Sequence, residues 1–219
     1  MHYHATPEDH AVLEKKGFLL VDSGATYMDG TTDITRTYPL GPLTEDEKRF
    51  YTWTLQSHID LAKAVWLDYC ECKMIDTIAR EPLWRHLINY RCGTGHSVSF
   101  VGNVHEGPHA LNGRNTIRMR PGMIVTDEPG VYETDLVGIR IENELVCVHR
   151  ADNQYGTFLG FEPLMFVPIA TSPILPGVLD KDEIAWLNDY HRQVFAKLAP
   201  HLNDEERSWL AEKCAAIGC

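Results

Sequence analysis

Two short apolar runs that each end on carboxylates organise the reading of this chain. Residues 18–22 (Phe-Leu-Leu-Val-Asp) and 123–128 (Met-Ile-Val-Thr-Asp-Glu) have the pattern of buried strands whose ends open onto a site. Between them in character is the polar stretch 30–37 (Gly-Thr-Thr-Asp-Ile-Thr-Arg-Thr), which alternates as a half-exposed strand does. Residues 139–148 (Ile-Arg-Ile-Glu-Asn-Glu-Leu-Val-Cys-Val) begin with alternation and end apolar, again a strand pattern. Helices are marked by their caps. Thr44 with Glu47 is a capping-box pair, after which Phe50, Trp53, Ile59, Ala62 and Trp66 recur at roughly helical spacing. A second helical stretch covers 74–88, with Pro82 kinking it or starting its second half. Asp180 with Glu183 opens a third helix to about Leu198, and Asn203 with Glu206 a fourth. Residues 171–177 hold two Pro and a Gly and read as a connector. The expectation is an α+β fold with an antiparallel or mixed sheet over 1–170, followed by a helical extension over 171–219.

Length and composition change this picture little: 219 residues with 44% hydrophobic and 23% charged positions suit one large globular domain, or one with an extension. No apolar run approaches a membrane span and no leader is evident, so no membrane partner is expected. Charge is more informative. Twenty basic against 31 acidic side chains give a net charge of -11, which repels phosphate backbones and argues against nucleic acid as a partner. Six cysteines without regular spacing read as reduced thiols of a cytoplasmic protein, and Cys70 and Cys72 as plain thiols rather than zinc ligands.

An acidic excess also suits cation binding, and five residues stand where metal ligands would: Asp22, Asp33, His96, Glu128 and Glu142. A hairpin would bring Asp22 and Asp33 together, and two such carboxylates repel unless a cation holds them. Four carboxylates and one imidazole form a hard, oxygen-rich set, better matched to Mn, Co or Fe than to a thiolate zinc site. Two divalent ions there would acidify a shared water and polarise a carbonyl, which implies hydrolysis. Singly, each carboxylate also fits a turn or cap role, and His96 a histidine in a Gly-rich loop; the joint pattern carries the reading. His58, His86, His149, His191 and His201 are assigned to packing or surface, and His109 is left open.

Five segments carry a family resemblance: 21–37 (Val-Asp-Ser-Gly through Asp-Ile-Thr-Arg-Thr), 93–96 (Gly-Thr-Gly-His), 103–108 (Asn-Val-His-Glu-Gly-Pro), 123–132 (Met-Ile-Val-Thr-Asp-Glu-Pro-Gly-Val-Tyr) and 138–143 (Gly-Ile-Arg-Ile-Glu-Asn). In order and spacing they resemble aminopeptidase P (Xaa-Pro aminopeptidase), of the superfamily shared with prolidase and methionine aminopeptidase. The tail, with 161–169 and 186–191, is similar to the C-terminal segment of three-domain aminopeptidases P. The resemblance implies a pita-bread (creatinase/aminopeptidase-like) α+β fold around two divalent ions, usually Mn2+, with Co2+, Fe2+ or Zn2+ as alternatives. By position it implies that Asp33 and Glu142 bridge both ions, Asp22 completes one, and His96 and Glu128 complete the other. Glu128 would also move the proton from water to the leaving proline nitrogen. His105 would support the tetrahedral intermediate, and His2 matches a second substrate-side histidine. Arg140 is expected to orient ligand carboxylates and Tyr132 to close the pocket. The substrates implied are small peptides with proline second, and the resemblance implies homodimerisation through the C-terminal part. Intrachain packing of the apolar face Ile184, Leu187, Tyr190, Val194 and Leu198 is the alternative use of that end.

The chain departs from the family pattern in two places. The loop before the metal histidine has Cys92 where relatives have a histidine, and Ser97 and Ser99 where they have glycines. Loss of that imidazole and two added Cβ atoms would narrow the pocket or change its turn. The chain also starts at the His-Tyr motif, so the N-terminal part of the pita-bread domain is expected to be absent and a sheet edge with apolar surface exposed. The alternative functions are an Xaa-Pro dipeptidase, or a fragment that binds metal but is inactive or needs a partner.

Overall fold

A computed structural model describes residues 5–218, so His2 lies outside the described residues. The chain begins with a long hairpin: β1 (Phe18–Tyr27) and β2 (Gly30–Pro39) pair antiparallel across a two-residue turn at Met28 and Asp29. The hairpin register sets Asp22 opposite Thr35 and Gly24 opposite Asp33, so Asp22, Asp33 and Thr35 share one face. Only the start of β1 is half-buried, with Val21, Asp22 and the rest of the strand exposed. The apolar run at 18–22 therefore does not form a fully buried strand: among the described residues β1 pairs only with β2.

Helix α1 (Glu45–Ala62) starts at the expected capping box, with Thr44 accepting from the Glu47 amide and Glu47 reaching back to the Thr44 amide. It is about five turns long, and Trp66 falls beyond it on β3 (Val65–Leu67), where it packs on Phe161. Helix α2 (Cys72–Trp84) runs through Pro82, which sits in its last turn. The central sheet is antiparallel, in the order β3, β10 (Gly156–Pro163), β9 (Asn143–Asn153), β6 (Ile124–Asp127). Two small antiparallel pairs complete the strands: β4 (Gly95–His96) with β5 (Ala110–Leu111), and β7 (Gly130–Glu133) with β8 (Val137–Arg140). The stretch expected as one strand at 139–148 is thus broken at Ile141 and Glu142, and the break frees Glu142 from the ladder.

The core has two main parts. Leu61, Trp66, Ile75, Ala79, Leu145, Cys147 and Phe161 fill the space between α2 and the sheet. Tyr51, Leu55 and Ile59 of α1 pack with Leu187, Tyr190 and Val194 of α3 (Lys181–Leu198) and with Ile139 and Ile141. The apolar face of α3 is therefore spent within the chain. Helix α4 (Asp204–Lys213) begins at the Asn203–Glu206 capping box and buries Leu210. No helix among the described residues is long and apolar enough to cross a membrane, and the five described cysteines are free thiols.

Candidate metal centre

Each expected ligand is delivered by a different segment of the chain. Asp33 comes from β2, His96 from β4, Glu128 from the residue after β6, and Glu142 from the break between β8 and β9. One ligand atom each from Asp33, His96 and Glu142 lies within 4.8 Å of the others. His96 Nε2 is 3.4 Å from Asp33 Oδ2 and 3.2 Å from Glu128 Oε1, which brings the fourth residue to the same point. Asp22 stands apart: its half-exposed carboxylate pairs with Arg140 Nη2 at 2.5 Å. Arg140 also donates to Tyr132 Oη at 2.7 Å and to Thr35 Oγ1 at 3.0 Å, so it ties both expected supporting residues to the hairpin.

Close backbone approaches make this convergence possible. The Thr94 carbonyl accepts from the Glu128 amide at 2.8 Å, and the Thr35 carbonyl from the Glu142 amide at 3.1 Å. At Gly95 a Cβ would lie 1.8 Å from the Thr126 carbonyl oxygen, so only glycine lets β4 press against β6 and place His96 beside Glu128. Two threonines, not singled out by the sequence reading, fix the carboxylates. Thr35 donates to Glu142 Oε2 at 2.6 Å, and Thr126 donates to Glu128 Oε1 at 2.9 Å while accepting from the His96 amide at 3.0 Å. Their only sequence signal is position: Thr35 stands two residues from Asp33 on the same strand face, and Thr126 two from Glu128.

The electrostatics test whether these residues suit a cation. Glu142 is buried, and its pKa is pushed well up, first by burial and then by the Glu128 and Asp33 carboxylates. Glu128 is also raised by burial, against the opposing pull of His96, Thr126 and Arg140. Burial opposes protonation of His96, but Asp33, the Ser97 carbonyl and Glu128 outweigh it and raise its pKa. His105, whose ring centroid is 3.8 Å from that of His96, is lowered by burial and by the His96 charge. Carboxylates crowded at one point, two of them raised in pKa by burial despite His96 and Arg140 nearby, are what a divalent ion among their oxygens would relieve. The donor set, carboxylate oxygens plus one imidazole, fits a hard divalent metal.

Beside this cluster lies a cleft of about 380 Å³ lined by Asp22, Cys92, His96, His105, Glu128, Tyr132 and Arg140, among others. Cys92 takes a cleft-lining place, with its thiol pKa raised by burial and by Glu128. Ser97 and Ser99 are buried, and neither has a positive φ, so the two added Cβ atoms are accommodated without backbone strain. Of the other histidines, His86 stacks on the half-buried Trp53 and His109 Nε2 contacts the Ile124 carbonyl. His58 and His191 are fully buried.

Residues 1–149 match metallopeptidase family M24, and residues 157–217 match the C-terminal region of peptidase M24. The chain belongs to metallopeptidase family M24. Among M24 relatives, aminopeptidase P1 of Lotus japonicus is 41% identical over 100% of this chain and 34% of its own length. Aminopeptidase P2 of Arabidopsis thaliana is 42% identical over 96% of the chain and 30% of its own. The chain thus spans about a third of the length of the relatives it matches. An X-prolyl aminopeptidase from Caenorhabditis elegans, described as a cytosolic enzyme with a di-nuclear active site, superposes with a TM-score of 0.86 at 39% identity, over 90% of this chain and 33% of that one. A prolidase from Pyrococcus furiosus gives a TM-score of 0.59 at 27% identity over 68% of this chain and 41% of that one. The M24 pita-bread fold expected from the sequence is therefore the fold observed, with the C-terminal helices packed onto it.

Proposed function

We propose that this chain carries the catalytic centre of an aminopeptidase that removes an N-terminal residue preceding proline. The observation that carries the reading is the convergence of Asp33, His96 and Glu142 within 4.8 Å, with Glu128 on the same imidazole and a cleft beside them. Asp22, Asp33, His96, Glu128 and Glu142 would hold two divalent ions, manganese before cobalt, iron or zinc. When bound, the metal pair supplies an acidified water and polarises the scissile carbonyl. Glu128, fixed by Thr126 and raised in pKa, accepts the proton of the attacking water and delivers it to the proline nitrogen, which has no N–H of its own. His105, at the cleft and in tilted ring contact with His96, donates to the developing oxyanion. Arg140 keeps Asp22 and Tyr132 in place at the cleft. His2 is proposed as a further substrate-side group. Small peptides are the partners, the cytosol the compartment, and 1–170 and 171–219 the catalytic and extension portions. Because α3 spends its apolar face within the chain, the proposed homodimer contact falls to α4, where Trp209 is exposed.

The similarity to X-prolyl aminopeptidase, at 39% identity against 27% for prolidase, favours an aminopeptidase over a dipeptidase. The test is release of the first residue from an Xaa-Pro-Pro tripeptide, with an Xaa-Pro dipeptide alongside, in manganese and in chelator. Metal-dependent cleavage of the tripeptide, reduced about 10²- to 10⁴-fold in Glu128→Gln, is expected. Cleavage of the dipeptide alone would make the site a prolidase, and no cleavage by folded, metal-loaded protein would overturn the catalytic reading.

A further inference from the structure

Behind the ligand carboxylates lies a second, fully buried layer of polar side chains. The β6–β9 ladder ends on the pair Asp127 and Asn143, and the two ligands Glu128 and Glu142 lie one residue past it, where no ladder bond holds them. Successive residues face opposite ways, so Asp127 and Asn143 turn from the cleft toward α1 and α3. There His58 Nδ1 lies 3.1 Å from Asp127 Oδ2 and hydrogen-bonds the Asp127 backbone carbonyl at 3.3 Å, and Asn143 Nδ2 reaches His58 Nε2 at 3.3 Å. On its other side Asn143 Oδ1 accepts from Arg36 Nη2 at 2.8 Å and from Tyr190 Oη at 3.2 Å. Arg36 also donates to the Glu142 carbonyl, and Tyr190 Oη bonds Arg36 Nη2 at 2.9 Å. His58, Asp127, Asn143, Arg36 and Tyr190 are each at most 4% exposed.

We infer that Asn143, linked on one side to the His58–Asp127 pair and on the other to Arg36 and Tyr190, is a positioning residue that holds Glu128 and Glu142 at the separation two metal ions require. The inference rests on the proposed metal centre and extends it. An apolar core could close the same space, but the last rung of the ladder, next to both ligands, would then have no side-chain hydrogen bonds to fix it. The polar layer sets the last rung of the ladder by directed bonds, and through Tyr190 it makes the C-terminal helical portion part of the metal site. Residues that support metal ligands in this way commonly govern metal affinity about 10- to 100-fold.

The test is calorimetric titration of the full chain with Mn2+, wild type against Asn143→Leu and Tyr190→Phe. Leu210→Ala serves as a control that weakens the buried core of α4 without touching the network. Asn143→Leu is expected to lose about 10- to 100-fold in manganese affinity. Tyr190→Phe, which removes one hydroxyl and keeps the ring, is expected to lose several-fold while staying folded, so the proposal stands or falls on it where Asn143→Leu does not fold. Leu210→Ala is expected to bind as wild type. Wild-type affinity in folded Tyr190→Phe and Asn143→Leu, or an equal loss in Leu210→Ala, would overturn the inference alone. Wild-type chain that takes up no manganese would overturn the proposed function and this inference with it.

Discussion

Removing the Thr35 hydroxyl is a small perturbation with a calculable effect. Thr35 is fully buried, donates to Glu142 Oε2 at 2.6 Å and accepts from Arg140 Nε at 3.0 Å. Thr35→Val keeps the shape and leaves two groups, one carboxylate oxygen and one guanidinium N–H, without that partner. Each such loss costs about 1–3 kcal/mol when a charged group is involved. Arg140 Nε is left with Glu128 Oε2 at 3.9 Å, too far for a hydrogen bond. Together the two losses come to about 2–6 kcal/mol. For a chain of this length that lowers Tm by about 4–24 °C. The assay is thermal unfolding followed by circular dichroism in chelator, with Thr35→Ser as the control that restores the hydroxyl. Thr35→Ser is expected to recover most of the loss. A Thr35→Val protein melting within about 2 °C of wild type would refute the claim that this hydroxyl fixes the Glu142 carboxylate.

Two further outcomes follow from other parts of the structure. Gly95→Ala forces a Cβ against the Thr126 carbonyl oxygen, so β4 must withdraw from β6 and carry His96 from Glu128; manganese affinity measured by titration is expected to fall at least about tenfold in protein that still folds. His191 is buried, accepts from the Ile169 amide at 3.1 Å, and is held down to about 4 by burial and by the Arg36 charge, against 6.5 for a free histidine. Its stabilising contribution is therefore complete above pH 6.5 and lost as pH falls through about 4, a change of about 3 kcal/mol. Urea unfolding from pH 7 to 4 is expected to show a flatter acid limb in His191→Gln than in wild type, and identical limbs would contradict the assignment.

The parts of the fold that could be read from sequence are those with local causes. Capping boxes at Thr44, Asp180 and Asn203 located three helix starts because the cap and its partner lie within one turn. The ends of elements depended on tertiary contacts: Trp66 left the helical pattern because it packs on Phe161 in the sheet, and Pro82 stayed inside α2. The expected ligands were recognisable by type and by motif. Their meeting was set by Gly95 and by the break at Ile141 and Glu142, neither of which has a local signal for its role. The buried layer of His58, Asp127, Asn143, Arg36 and Tyr190 was invisible for the same reason. Its members come from five separate segments, and His58 taken singly reads as an ordinary core histidine.

The claim on which the rest depends is that Asp22, Asp33, His96, Glu128 and Glu142 hold two metal ions close together. Electron paramagnetic resonance of the manganese-loaded chain tests it most directly, because ions about 3.5–4 Å apart with shared ligands are magnetically coupled. Two manganese ions per chain are expected, with the broadened spectrum of a coupled pair that is lost on Glu142→Gln substitution. The hyperfine pattern of isolated ions at every loading, or the same coupled spectrum in Glu142→Gln, would contradict that claim.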